Sequence, residues 1–270
     1  MRKWRPRGRN WFAVAALAVV LVSLLPPAAD YARRYVFAES LQFSLFAIVV
    51  PALFVLGAPW RLTGLSHGEG AEVTYLATGR GAPADRLAMS RLHHPAFVRA
   101  SVFLAFFAVA SIVWRLPVAV DALARHPALA LAEMASLLVA GTGLWLEIIE
   151  SPPFMPRIPR PQRALVAASA MWITWILAYI LGFSRVAWFS AYIHVAGGGL
   201  SAVADQEAAT ITIWAVAGIC FIPVVYGTMM VWLTDSDDPD DELRRIVGGG
   251  RRRVGVRGWD RPSRAESDRP

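Results

Sequence analysis

The 270-residue chain has one cysteine, Cys220. That excludes an intramolecular disulfide and any metal site built from paired thiolates, and leaves Cys220 a small packing residue. The chain also lacks a Gly-rich phosphate loop, a metalloprotease His-Glu pair and a nucleophile placed beside a base, so it does not read as an enzyme. Charged residues make up only 17% and histidines number five. No histidine lies clearly inside an apolar run, which speaks against a pair of axial haem ligands. What the chain has in quantity is apolar side chains, 56% of the total with 11 Trp. They fall in runs that match the roughly 20 residues a helix needs to cross a bilayer. The runs are Trp11–Ala29, Val36–Leu56, Val98–Leu116, Ala128–Ile149, Ala164–Phe183 and Ala208–Leu233. Lipid obliges backbone groups to pair within their own segment, so the expected fold is all-α: a polytopic transmembrane bundle of about six helices.

A formal charge of +7 raises nucleic acid as a partner, but the arginines are distributed around the spans and point to the bilayer instead. With the amino terminus inside, five basic residues fall in the leader, five in the loop through Arg99, three between the fourth and fifth spans and nine in the tail. Those 22 of 27 lie inside; Arg33, Arg34, Arg115, Arg125 and Arg185 lie outside. This bias predicts both termini in the cytoplasm and a multi-pass protein of the cytoplasmic membrane. The first apolar run, after a basic start and before small residues, also has the form of a cleaved secretory signal; either reading leaves the later spans in the same orientation. The divisions are a basic leader (1–10), one helical bundle (11–233) with a cytoplasmic loop at 57–97, and a charged tail (234–270) that reads as disordered. A short interfacial helix is expected near Arg86–Leu92.

Most of the unusual polar residues sort to the outer helix ends. Glu39 and Gln42, three apart, share a face at the start of the second span. Arg115 closes the third. Glu133 and Met134 lie about a turn and a half inside the fourth, which His126 and Pro127 precede. Tyr192, His194, Asp205, Gln206 and Glu207 precede or open the sixth. An ionisable group at mid-span costs on the order of 2.5–3.5 kcal/mol, so Glu133 must face protein or a wet cavity and needs a cation, Arg115 or Arg125. One reading is that Glu133 and Glu39 only fasten the bundle by neutralising outer arginines. For Asp205 the plain reading is an N-cap of its own helix. His126 and His194 read as capping or solvated groups, and Met229 and Met230 as core.

The order of short motifs is more telling than any one of them. "LGAP" (Leu56–Pro59) closes the second span, "HP" (His94, Pro95) precedes the third and "WRLP" (Trp114–Pro117) ends it. "EMASLLVAGTGLW" (Glu133–Trp145) follows in the fourth, and "DQ" (Asp205, Gln206) opens the sixth. Over most of Pro26–Leu233 this resembles the CtaG-type family of cytochrome c oxidase assembly proteins. The resemblance implies a membrane protein that helps mature a haem–copper oxidase, with oxidase subunits as partners and copper as a possible cargo.

The chain departs from the family pattern where imidazoles stand. His-Met-x-Gln-His is Glu39, Ser40, Leu41, Gln42 and Phe43; Trp-His-x-Pro is Trp114, Arg115, Leu116 and Pro117; Glu-His is Glu133 and Met134. Carried over residue by residue, the remaining site is Gln42, Glu133, Asp205 and Gln206, and Arg115, in place of an imidazole, joins them in the outer polar site. Glu39, Met134, His126 and His194 are the remaining groups able to ligate a metal, and Arg115 stands ready to supply the positive charge a metal would bring. Two other classes stay open: a small-ion transporter or channel, which requires a polar path across the bundle, and a haem- or quinone-binding membrane protein.

Overall fold

The computed structural model describes residues 10–61, 96–126, 128–151, 154–193 and 200–235. The expected interfacial helix at 86–92, the tail beyond 235, and His194 lie outside them. Among the described residues there are eight helices and no strand: α1 (Asn10–Leu24), α2 (Pro26–Arg34), α3 (Val36–Gly57), α4 (Ala96–Arg115), α5 (Pro117–Arg125), α6 (Ala128–Ile148), α7 (Arg160–Gly182) and α8 (Ala202–Asp235). Five are long and apolar enough to cross a membrane, and α1 with α2 makes a sixth crossing if the bent pair counts as one. The chain divides into one unit to Met230 and a second from Val231, of which the end of α8 is described.

The first span is not the continuous helix its apolar run predicts. It bends by 61° between α1 and α2. Pro26 and Pro27 are the cause: a residue before proline is pushed out of the α region, and Leu25 takes φ −65°, ψ 146°. The same device recurs at Leu116 (φ −65°, ψ 138°) before Pro117, where α4 gives way to the short helix α5. Both short helices begin with proline, end in arginine and lie at the end of the bundle that carries Arg115.

α3 is the central helix, with the largest buried share of the candidate spans. Its middle holds one π-helical stretch, Leu45–Val49, where the Val50 N–H reaches back to the Leu45 carbonyl. Pro51 explains it, since proline has no N–H and its ring collides with the carbonyl four residues earlier. Neighbours use the disturbed carbonyls. Trp145 Nε1 on α6 donates to the Ile48 oxygen at 3.0 Å. The Ala47 oxygen lies so close to Gly141 that a Cβ there would overlap it and Pro51. Trp145 also stacks on Phe221 of α8, centroids 4.9 Å apart and planes within 7°. Gly141→Val is therefore expected to destabilise by overpacking, about 1–3 kcal/mol. Gly227→Ala, with nothing within 4 Å of its Cβ, is the control and should leave the thermal midpoint unchanged or slightly raised.

Candidate functional site

The polar residues at the Arg115 end divide into two groups. The first holds backbone in place. Tyr35, the residue before α3, has no side chain able to cap, and Asp205 of α8 takes that role from a distance. Its Oδ2 accepts from Val36 N (2.7 Å) and its Oδ1 from Phe37 N (3.0 Å). Asp205 thus corrects the N-cap reading: α8 begins six residues earlier than its apolar run, at Ala202, and its own cap is Ser201, whose Oγ accepts from Ala204 N at 3.1 Å. A carboxylate at a foreign helix start still meets orphan amides and the positive end of the dipole. Gln206 clamps the turn after α7, its Nε2 donating to the Leu181 oxygen (2.9 Å) and its Oε1 accepting from Trp188 N (2.9 Å). Gln42 Nε2 donates to the Ser23 oxygen at 2.7 Å. That carbonyl is orphaned because residue 27, which would satisfy it in a helix, is proline. Glu207 is exposed.

Asp121 and Tyr192 complete this group. Asp121 accepts from Ser190 N, Ser190 Oγ and Ala191 N, fixing the 3₁₀ turn Ser190–Tyr192. Tyr192 Oη then donates to the Ala32 oxygen at 3.1 Å, pinning α2. Burial, reinforced by the Glu39 carboxylate nearby, pushes the Tyr192 phenol above its ordinary pKa, so it remains a donor. Asp205→Ala is expected to cost about 0.5–2 kcal/mol, as for loss of a cap, and Asp205→Asn less because one acceptor survives. A thermal-denaturation series over the two variants checks the order.

The second group is charged. Arg115 Nη2 pairs with Glu39 Oε1, and Nη1 donates to Ser40 Oγ at 3.0 Å. Its Cζ lies 4.3 Å from the centroid of the Phe43 ring, a cation–π contact. Glu133 Oε1 lies 3.7 Å from the same Nη2, an ion pair beyond hydrogen-bond reach. All three side chains are buried, and Glu39 Oε2, Glu133 Oε1 and Arg115 Nε have no hydrogen-bond partner. The expected partner of Glu133 is therefore present, but Glu39 is the nearer one. A cavity of about 190 Å³ adjoins the cluster, and Glu39, Gln42, Glu133, Met134 and Tyr192 line it. Glu39, Gln42, Arg115 and Glu133 are thus brought together, while Asp205 and Gln206 act on backbone beside them. His126 is exposed at the end of α5 and does not line the cavity. Among the described residues no three His, Cys, Asp or Glu converge as a metal site.

A second buried pair, at the opposite end, has no counterpart in the sequence reading. Arg99 Nε and Nη2 donate to Glu147 Oε1 and Oε2, both at 2.8 Å, with Glu147 fully buried. The signal was slight: at the same end of two neighbouring spans, close to the helix termini, stand charges of opposite sign. Between the two ion pairs the described interior is mainly apolar, with Phe46, Ile48, Phe107, Leu137 and Leu144 in one core and the buried hydroxyls of Ser44 and Ser111 among them.

Long apolar helices locked by buried ion pairs at both ends define a multi-pass membrane protein whose polar residues hold structure. Over residues 1–235 the sequence matches the model of the cytochrome c oxidase caa3 assembly factor family (Caa3_CtaG), and the chain belongs to that family. The match extends the motif resemblance to the leader as well. No curated protein and no solved structure matches the sequence.

Proposed function

We propose that the chain is a non-enzymatic assembly factor for a haem–copper oxidase in the cytoplasmic membrane, with both termini inside, the Arg115 end outward, and no copper-carrying role. The observation that supports this most is the position of Arg115. Its guanidinium faces both Glu39 and Glu133, where a bound cation would have to sit, and it would repel one. Phe43 offers no ligating atom and Met134 only a thioether, so the donor set fits copper poorly. The mainly apolar interior between the two ion pairs, with isolated serine hydroxyls and no charged group among its described residues, argues against a small-ion path. The described histidine, His126, lies at a helix end, a poor position for an axial haem ligand.

Two measurements test the reading. The tagged chain should co-purify with oxidase subunits, and its copper content should stay well below stoichiometric. Stoichiometric, chelator-resistant copper would contradict the non-carrier role. A reporter fused after Leu233 should be active only in the cytoplasm; activity on the other side would reverse the orientation.

A further inference from the structure

Inside the cavity beside Arg115 the side-chain donors are in use and two acceptors are not. Ser23 Oγ donates to the Val19 oxygen (2.7 Å), Gln42 Nε2 to the Ser23 oxygen (2.7 Å) and Tyr192 Oη to the Ala32 oxygen (3.1 Å). Arg33, at the exposed edge, pairs with Asp30. The spare capacity is on oxygen. Gln42 Oε1 and Glu133 Oε2 accept from no described residue, and unlike Glu39 Oε2 and Glu133 Oε1 they are not sealed from free space. Both side chains line the cavity, and Glu133 is only 9% exposed. Buried polar groups are ordinarily paired, so these two oxygens call for a donor from outside the chain. Arg115 already supplies the positive charge beside them and would repel a cation. The donor must therefore be uncharged. The other walls, among them Ala32, Phe46, Leu123 and Met134, are apolar. Leu24, Ala130 and Leu131 line the cavity while exposed on the flanks of α1 and α6, so it opens on the face of the bundle that meets the bilayer. Gln42 and Glu133 stand within the first two turns of α3 and α6, the depth just beneath lipid headgroups. The volume of about 190 Å³ corresponds to roughly six waters at about 30 Å³ each, enough for a small head with one or two hydroxyls.

We infer that this cavity binds the hydroxyl head of an uncharged lipid, which donates to Glu133 Oε2 and Gln42 Oε1 while its apolar chain leaves past Leu24 and Leu131. A hydroxyl supplies a donor without a charge, and toward a carboxylate it makes the stronger, charge-assisted kind of hydrogen bond. An ether or ketone of the same size offers only acceptors and is met by acceptors. The cavity should therefore hold a lipid alcohol and refuse the same molecule with its hydroxyl methylated or oxidised. Two membrane sources carry this chemistry, diacylglycerol and an isoprenoid quinol.

The test uses the full chain purified in a lipid-free detergent, with native mass spectrometry and thermal denaturation as readouts. Diacylglycerol is set against its methyl ether, and an isoprenoid quinol, kept reduced, against its quinone. In at least one pair the hydroxyl form should be retained about tenfold or more over its counterpart, as expected for a hydrogen bond to a charged group. It alone should raise the thermal midpoint. The pair that shows the difference identifies the source. Glu133→Leu should erase the preference while leaving Arg115 paired with Glu39. Ala130→Trp, at an exposed position of the cavity lining, should block entry without touching a polar group, which keeps the test informative if Glu133→Leu misfolds. Equal retention within both pairs, or a preference that survives either variant, would overturn the proposal.

Discussion

Arg115→Met is expected to lower the unfolding free energy by about 3–5 kcal/mol, because it leaves two buried carboxylates without a counter-charge. Arg115 is 4% exposed and its guanidinium meets Glu39, Ser40, Phe43 and Glu133 at once. The loss is mainly the penalty of stranded charge, so removing the acids with it should recover part of it. Arg115→Met with Glu39→Gln should be milder than the sum of the singles, and adding Glu133→Gln milder still. A double-mutant cycle followed by thermal denaturation measures this; strict additivity would show that the groups are not coupled. Arg125→Met supplies the contrast. Its pairing with Asp121 spans 3.9 Å with the arginine 63% exposed, and such surface pairs contribute little that is measurable.

Breaking the pair at the other end should be comparably damaging. Arg99→Met removes both of the hydrogen bonds that Arg99 makes to Glu147, which has no exposed surface, at a cost again of about 3–5 kcal/mol. The two parallel bonds of 2.8 Å make the site a test of geometry as well as charge. Lysine keeps the charge but cannot offer a planar fork, so Arg99→Lys should fall between wild type and Arg99→Met. If Arg99→Lys matches wild type in yield and thermal midpoint, the bidentate geometry is irrelevant and only the charge counts.

The helical bundle was legible in the sequence because membrane spans are written in long apolar runs, and the runs from Val36 onward became helices within a few residues at most of their ends. The exceptions have physical causes. Pro26–Pro27 broke the first span at a point where hydropathy alone sees no interruption. α8 starts ahead of its apolar run because its first turns carry Asp205 and Gln206, which are polar yet bonded to backbone elsewhere. The charged cluster was partly legible, since an acid inside a span demands a base: Glu133 pointed to Arg115. That Glu39 would be the closer acid was not readable, because it depends on the rotation of α3 against α4. Asp205 was read as local when its partners, Val36 and Phe37, lie 169 and 168 residues away. Asp121 gave no sign at all, since a carboxylate that caps a distant turn resembles any polar loop residue. Arg99 and Glu147 were hidden by their places near span ends, where charges ordinarily face water.

The central claim is that this member of the family supports oxidase maturation through a protein scaffold locked by ion pairs, with no copper cargo. Haem–copper oxidase activity in a strain lacking the gene, measured with and without added copper and alongside immunodetection of the oxidase subunits, tests it most directly. The expected result is lowered activity with the oxidase polypeptides still present, poorly rescued by copper and restored by the wild-type gene. Unchanged oxidase activity in the deletion strain would contradict the assembly role, and full rescue by copper alone would contradict a scaffold that carries none.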